Sequence, residues 1–493
     1  MAPTTVANAM ARGTSGANAA GATGRDGSSN LTTRAVGFAL TVQIVTDSED
    51  MTKSANVAGF KEAQMKILTR IALLAFGVVL LGCDRSKGEC VAPDFNITND
   101  AEFVRSAIND VMMCNEVASM ARGLIVKTTI DIPLQTEVSR ILWQYADSNC
   151  ASKGWAVVME ANTGAIRALA DSGWSAFITT NAAGAMAWRP GAVVEAYECG
   201  SIIKPLIAAL ALDEKVVWPT TEVSTDRNDH RYRQFKLPSE GCASNKAYYS
   251  VSEAIQKSSN VVFAKLGIDL GPKRLYEGLK KFGCGIPIKV GVSGDEEEGL
   301  LPCSDRWNAT LRSRIPIGQG VKMTGLQIAR AYAAFVNGGY VRTPHIIKSV
   351  CNLDEWVLYE HDLEWEPEYQ IISEQTADLV FGMLQKATGE GGTGHRAASV
   401  GRGVPVAGKT ATVMRTEGYR ILDGLYNATF AGFAAVHRVN YVIIVKYETL
   451  AGRDETDPGS YLGSGRAAMA FAEIVRHMAR ERDDANDPNG RRN

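Results

Sequence analysis

The apolar positions along this chain change period several times, and each change predicts an element. In LIVKTTIDIPLQTEVSRILWQYA (residues 124–146), a β-branched strand gives way at a Pro-marked turn to an amphipathic helix. GWAVVMEANTGAIRALA (154–170) alternates on both sides of Asn162-Thr163-Gly164 and reads as a β-hairpin. Helical spacing follows over 201–213, 251–266, 272–282 and 373–387, and another helix, from Met323, stops at the pair Gly338-Gly339. The last third returns to strands, VPVAGKTATVM, NATFAGFAAV and NYVIIVKYE, before a final helix, GRAAMAFAEIVRHMAR. Strands at both ends with helices between them predict an α/β (α+β) domain: an antiparallel sheet assembled from distant segments and flanked by helices.

Outside this body the pattern fails or changes meaning. Residues 1–64 are rich in Gly, Ala, Ser, Thr and Asn, cannot support a core, and are expected to be disordered or an extension upstream of the true start. MKILTRIALLAFGVVLLGC (65–83) has Lys66 and Arg70 ahead of an apolar run and ends in Leu-Gly-Cys, the layout of a bacterial secretory signal. The ending resembles a lipobox, with Cys83 as the lipidated residue. An uncleaved membrane anchor and a buried helix are the alternatives, and the run is shorter than the roughly 20 residues a spanning helix needs. The first two readings place the remainder outside the cytoplasmic membrane, on the periplasmic face. The polar stretch 84–123 reads as a short linker or pedestal remnant, 124–480 as the domain, and 481–493 as a charged, disordered tail.

Composition narrows the chemistry. A chain of 493 residues, 45% apolar and 22% charged, is globular, and a net charge of −2 without a basic run excludes nucleic acid as an expected partner. The six histidines are scattered, with no H-E-x-x-H and no Cys/His cluster at zinc spacing, so no metal is expected. The nine cysteines include no C-x-x-C pair and do not form a disulfide framework.

GVPVAGKT (403–410) matches the phosphate-loop pattern letter for letter but lacks its context. No buried strand precedes it and no helix follows, so nucleotide binding is not expected. GEGGTG (389–394) follows a helix rather than a strand and reads as a flexible glycine turn. Ser201-Ile202-Ile203-Lys204 is the chain's single Ser-x-x-Lys, set after Gly200 and before an apolar helix. At a helix N-terminus the free amides and the dipole favour a developing oxyanion. The lysine lies one turn away, where burial disfavours its ammonium and leaves an amine able to deprotonate the serine. Taken alone, the motif reads equally as a serine cap and a lysine that snorkels to water. Ser258-Ser259-Asn260, between two helical stretches, adds a serine and an amide that can face one cleft. Ser-x-x-Lys, then Ser-x-Asn, then Lys409-Thr410 on a late strand is the order of active-site elements in penicillin-binding proteins and serine β-lactamases.

From Leu124 to Arg480 the chain resembles the transpeptidase domain of class B penicillin-binding proteins, the cell-division type above all. YECGSIIKP is similar to the family's Tyr-Glu-Pro-Gly-Ser-x-x-Lys-Pro, and VVMEANTGAIRALA, SSNVVFAKLGIDLGPKRLYEGLKKFGCG, IPIGQGVKMTGLQIARAYAAFVNGG, VPVAGKTAT and FAGFAAV resemble family segments in order. The resemblance implies the penicillin-binding/serine β-lactamase-like fold and a peptidoglycan D,D-transpeptidase that works through a serine acyl-enzyme, without metal or organic cofactor. It implies Ser201 as nucleophile, Lys204 as base, and Ser258 and Asn260 in proton relay and substrate binding. Lys409 and Thr410 would bind the substrate carboxylate and support Ser258, and the amides of Ser201 and Thr412 would form the oxyanion hole. Stem peptides and β-lactams are the implied ligands, and a membrane glycosyltransferase of the divisome the implied partner. A catalytically impaired homologue and a D,D-carboxypeptidase or β-lactam hydrolase are the alternatives.

Three departures bear on this. Ala411 stands where the family has glycine, and its methyl, on the same strand face as Lys409, is expected to project toward the cleft. Cys199 replaces the proline before Gly200 and is expected to be structural. Only the stretch 84–123 occupies the place of the family's large N-terminal pedestal.

Overall fold

The computed structural model describes short pieces at 83–84, 89–90 and 116–119, then residues 124–486 apart from 147–150, 173–177, 181–185, 189, 241–245, 291–295, 353–355, 362–368, 401–402, 418–419 and 451–461. Residues 1–82, which hold the glycine-rich extension and most of the signal-like run, lie outside the described residues. Cys83 falls in the two-residue strand Cys83–Asp84, paired with Glu89–Cys90. No helix among the described residues is long and apolar enough to cross a membrane.

The centre is a five-stranded antiparallel sheet. Its strands are β1 (Ala151–Glu160), β2 (Ile166–Asp171), β3 (Val406–Glu417), β4 (Arg420–Val436) and β5 (Val439–Leu450), in the spatial order β3-β4-β5-β1-β2. The last three strands are joined by hairpins, and the early hairpin β1–β2 adds to β5 through the register Val445↔Ala156. Distant segments therefore meet in one sheet, as the element order predicts.

Both faces are covered, and strand parity decides which side chain goes where. Ala156, Val158, Phe430, Ile443 and Val445 face outward under α1 (Ile132–Ala146) and the terminal helix, burying Leu134, Val138, Phe471 and Ile474 against them. Trp155, Val157, Ala411, Ala431, Phe433, Val442 and Ile444 face inward onto the helical layer. That layer contains α2 (Lys204–Asp213), α3 (Val251–Lys257), α4 (Asn260–Leu270), α5 (Gly325–Ala333) and α6 (Glu374–Thr388). α7 (Ala468–Asn486) closes the outer face.

Four expectations change at their edges. Pro133 lies inside the first turn of α1 rather than in a turn before it, since a missing N–H costs nothing where no intrahelical bond would form. The predicted 251–266 helix is broken: Ser258 is left-handed (φ 60°, ψ 40°) and Ser259 starts α4 as its N-cap. The linker 84–123 contains Glu116–Ser119, which pairs with Leu124–Thr128. The charged tail is helical as far as Asn486, because Arg480, Glu481 and Arg482 are good helix formers that continue α7.

Candidate active site

Ser201 sits in a 3₁₀ turn, Gly200–Ile203, that runs directly into α2. In 3₁₀ geometry residues three apart eclipse one another, and the Lys204 amide closes the turn on the Ser201 carbonyl. The lysine therefore stands over the serine by backbone geometry. Gly200 has φ +54°, and a Cβ there would lie 2.2 Å from Val413 Cγ2, so the nucleophile turn rests against β3. On its other side Gly200 donates to the Gly318 carbonyl at 3.1 Å and Cys199 to Val321 at 3.2 Å. Tyr332 Oη holds the Ile202 carbonyl at 2.7 Å, and Glu198 accepts from the Gly320 amide at 3.0 Å.

The break between α3 and α4 supplies the second wall. A left-handed serine carries roughly 1–3 kcal/mol of backbone strain, and here it turns Ser258 into the cleft. Lys204 Nζ bonds the Ser258 carbonyl at 2.7 Å, its Oγ at 3.2 Å and Asn260 Oδ1 at 2.7 Å. Lys409 Nζ, from β3, reaches the same Ser258 Oγ at 2.9 Å and the Thr410 carbonyl at 3.0 Å. Two fully buried amines thus converge on one hydroxyl.

The cleft between these walls has a volume of 450 Å³, and Ser201, Ser258, Asn260, Thr393, Thr410 and Thr412 lie along it. Of the residues expected at the site, Lys204 and Lys409 lie behind this lining. Lys409 bonds Ser258 from there at 2.9 Å. Thr412 Oγ1 accepts from the Gly463 amide at 3.0 Å. Ala411 lines the cleft yet is 3% exposed. Its Cβ lies 3.6 Å from the point a Cβ on Gly200 would occupy, so the methyl fills space that the glycine leaves open. Cys199 is buried, and its thiol is pushed well above the ordinary range, by burial first and then by Cys284 and Glu198. It is structural. Among the described residues no group of three potential ligands could hold a metal.

Two contributors were not read from the sequence. The glycine turn 389–394 is anchored to α3: Lys257 Nζ bonds the Gly391 carbonyl at 2.7 Å and Gln256 Nε2 the Glu390 carbonyl at 3.0 Å. It presents Thr393, whose hydroxyl bonds that of Thr410 at 3.0 Å. Glu240, far from every motif, accepts from Ser259 Oγ at 2.6 Å and from the Asn260 amide at 2.7 Å. The tight glycines were the available signal for the first, since a Cβ at Gly392 would meet the Ala387 carbonyl at 2.2 Å. Nothing in the local pattern marks the second.

Comparison with known proteins identifies the family and the fold. Residues 154–475 match the penicillin binding protein transpeptidase domain, and the chain belongs to that family. It is 32% identical over 371 residues to penicillin-binding protein PbpB of Mycolicibacterium smegmatis, covering 72% of this chain and 54% of the relative. It is 28% identical over 352 residues to peptidoglycan D,D-transpeptidase FtsI of Escherichia coli, covering 70% and 54%. The chain thus spans about half the length of the curated relatives it matches. Penicillin-binding protein 3 of Mycobacterium tuberculosis superposes with a TM-score of 0.61 at 27% identity, covering 74% of this chain and 80% of that one. The tuberculosis protein has also been solved complexed with aztreonam and with ampicillin.

Proposed function

We propose that this protein is a peptidoglycan D,D-transpeptidase of the cell-division type that cross-links stem peptides through an acyl-enzyme on Ser201. One observation carries the reading: Lys204 and Lys409, both buried, bond the same Ser258 hydroxyl beneath the nucleophile turn. Ser201 Oγ attacks the carbonyl carbon of the D-Ala-D-Ala bond as its proton passes to Lys204. The C–N bond then breaks, and the departing D-alanine amine takes up a proton through Ser258. An amine from a neighbouring stem peptide attacks the ester, loses its proton to the same amine–hydroxyl system, and regenerates Ser201. β-Lactams acylate the same serine by imitating the substrate. The protein acts outside the cytoplasmic membrane, attached through the 65–83 segment by a lipid on Cys83 or an uncleaved anchor, beside a membrane glycosyltransferase. The signal-like layout of that segment supports the attachment.

The test is incubation of the protein with a fluorescent penicillin, followed over time by intact mass. A stable adduct that is absent in Ser201→Ala supports the transpeptidase. Rapid turnover of the adduct points to a hydrolase, and no adduct at all sinks the reading.

A further inference from the structure

From the bonds around the α3–α4 break, we infer that Glu240 is a positioning residue for acylation, acting through Asn260. This rests on the transpeptidase reading and goes beyond the motif residues. The first amides of a helix lack intrahelical partners. In α4 they are met by two side chains. Glu240 Oε2 accepts from the Asn260 amide at 2.7 Å and Oε1 from the Val261 amide at 3.3 Å, while Ser259 Oγ accepts from Val262 at 3.2 Å. Glu240 Oε1 also takes the Ser259 hydroxyl at 2.6 Å. A carboxylate here complements the positive end of an 11-residue helix.

The preceding residue completes the device. The Ser239 carbonyl accepts from Asn260 Nδ2 at 2.9 Å, so one chain segment grips both the backbone and the side chain of Asn260. An amide has one accepting and one donating end. With Nδ2 committed to Ser239, Oδ1 must face the other way, and it meets Lys204 Nζ at 2.7 Å. Residues 239 and 240 therefore fix where Asn260 sits and which end of its side chain meets Lys204.

The test is a double-mutant cycle on acylation by a fluorescent penicillin, separating the first-order acylation rate from the dissociation constant of the initial complex. Glu240→Gln keeps one accepting oxygen and the side-chain volume, and thermal unfolding of each variant checks that it is folded. In the otherwise native protein it lowers the acylation rate at least tenfold and leaves the dissociation constant within twofold. In an Asn260→Ala background, followed by intact mass over hours, the same change costs less than twofold, because the group it positions is gone. An equal loss in both backgrounds would mean general support of the helix and overturns the inference, as does a native rate in Glu240→Gln. Wild-type protein that takes no label removes the transpeptidase reading, and this inference with it. A labelled wild type with a fully active Glu240→Gln removes this inference alone.

Discussion

Four lysines are buried among the described residues, and they fall into two kinds. Lys446 bonds Glu195 at 3.1 Å and Glu448 at 3.1 Å, and Lys265 bonds Asp229 at 3.2 Å. Lys204 and Lys409 instead bond one shared hydroxyl, with carbonyl and amide oxygens around it. A carboxylate partner fixes an ammonium in its charged state and gains when it stays there. A hydroxyl can accept or donate, so an amine against it can release its proton and take it back. The depth of burial is the same for both kinds, and what separates them is the partner: carboxylates for one, a shared hydroxyl for the other.

The comparison is broken if the two kinds fail to separate in activity and stability. Lys204→Ala should slow acylation by fluorescent penicillin roughly 10³-fold or more, the scale of a lost general base, while costing less stability than the loss of Lys446, because the acceptors it leaves are neutral. Lys446→Met should do the reverse. Removing one partner of a buried network costs about 3–5 kcal/mol, measurable by denaturant titration, while the folded fraction should acylate at the wild-type rate. The same network gives a pH signature. Burial alone would raise the Glu195 carboxyl, but Lys446 and then Lys153 outweigh it and hold it below its ordinary 4.5. A depressed folded value means stability that is complete above pH 4.5 and lost as pH falls below it. Wild-type stability should therefore drop through that acid window more steeply than that of Lys446→Met.

Two smaller effects sharpen the picture on the strand side. Thr393→Val deletes a hydroxyl bonded to Thr410 and should slow acylation by about fivefold, the value of one net hydrogen bond of about 1 kcal/mol, with Thr393→Ser close to wild type. Ala411→Gly should change the acylation rate less than threefold, because the methyl is packed beneath Gly200 rather than presented to ligand. Its measurable cost should be about 0.5–1 kcal/mol of stability from placing glycine within a strand. A tenfold gain in rate would show instead that the methyl obstructs the cleft.

The sheet, its antiparallel assembly and the three motifs were legible because each rests on local information: period-2 alternation in β3 to β5, helical spacing in α2, and short motifs in a fixed order. The shared face of Lys409 and Ala411 followed from strand parity alone. The interruption at Ser258-Ser259-Asn260 was legible as a turn between helical stretches, but the left-handed form of Ser258 was not, since it is fixed by contacts from β3 and α2. Thr393 and Glu240 were hidden for a related reason. Each acts from a segment without hydrophobic period, on a partner set by how the chain returns in space. What Ala411 does was likewise undecidable before Gly200 was seen against it.

The contact between Gly200 and Gly318 also bears on how the protein can change under selection. A Cβ at Gly318 would fall 2.2 Å from the Gly200 carbonyl oxygen, and one at Gly200 would strike Val413. Both glycines have positive φ, so any replacement is strained as well as crowded. Under pressure from an inhibitor that acylates Ser201, Gly200 and Gly318 are therefore closed to substitution. Exposed lining positions such as Gln319, Met414 and Thr416 are open to change instead, because a new side chain there meets solvent first.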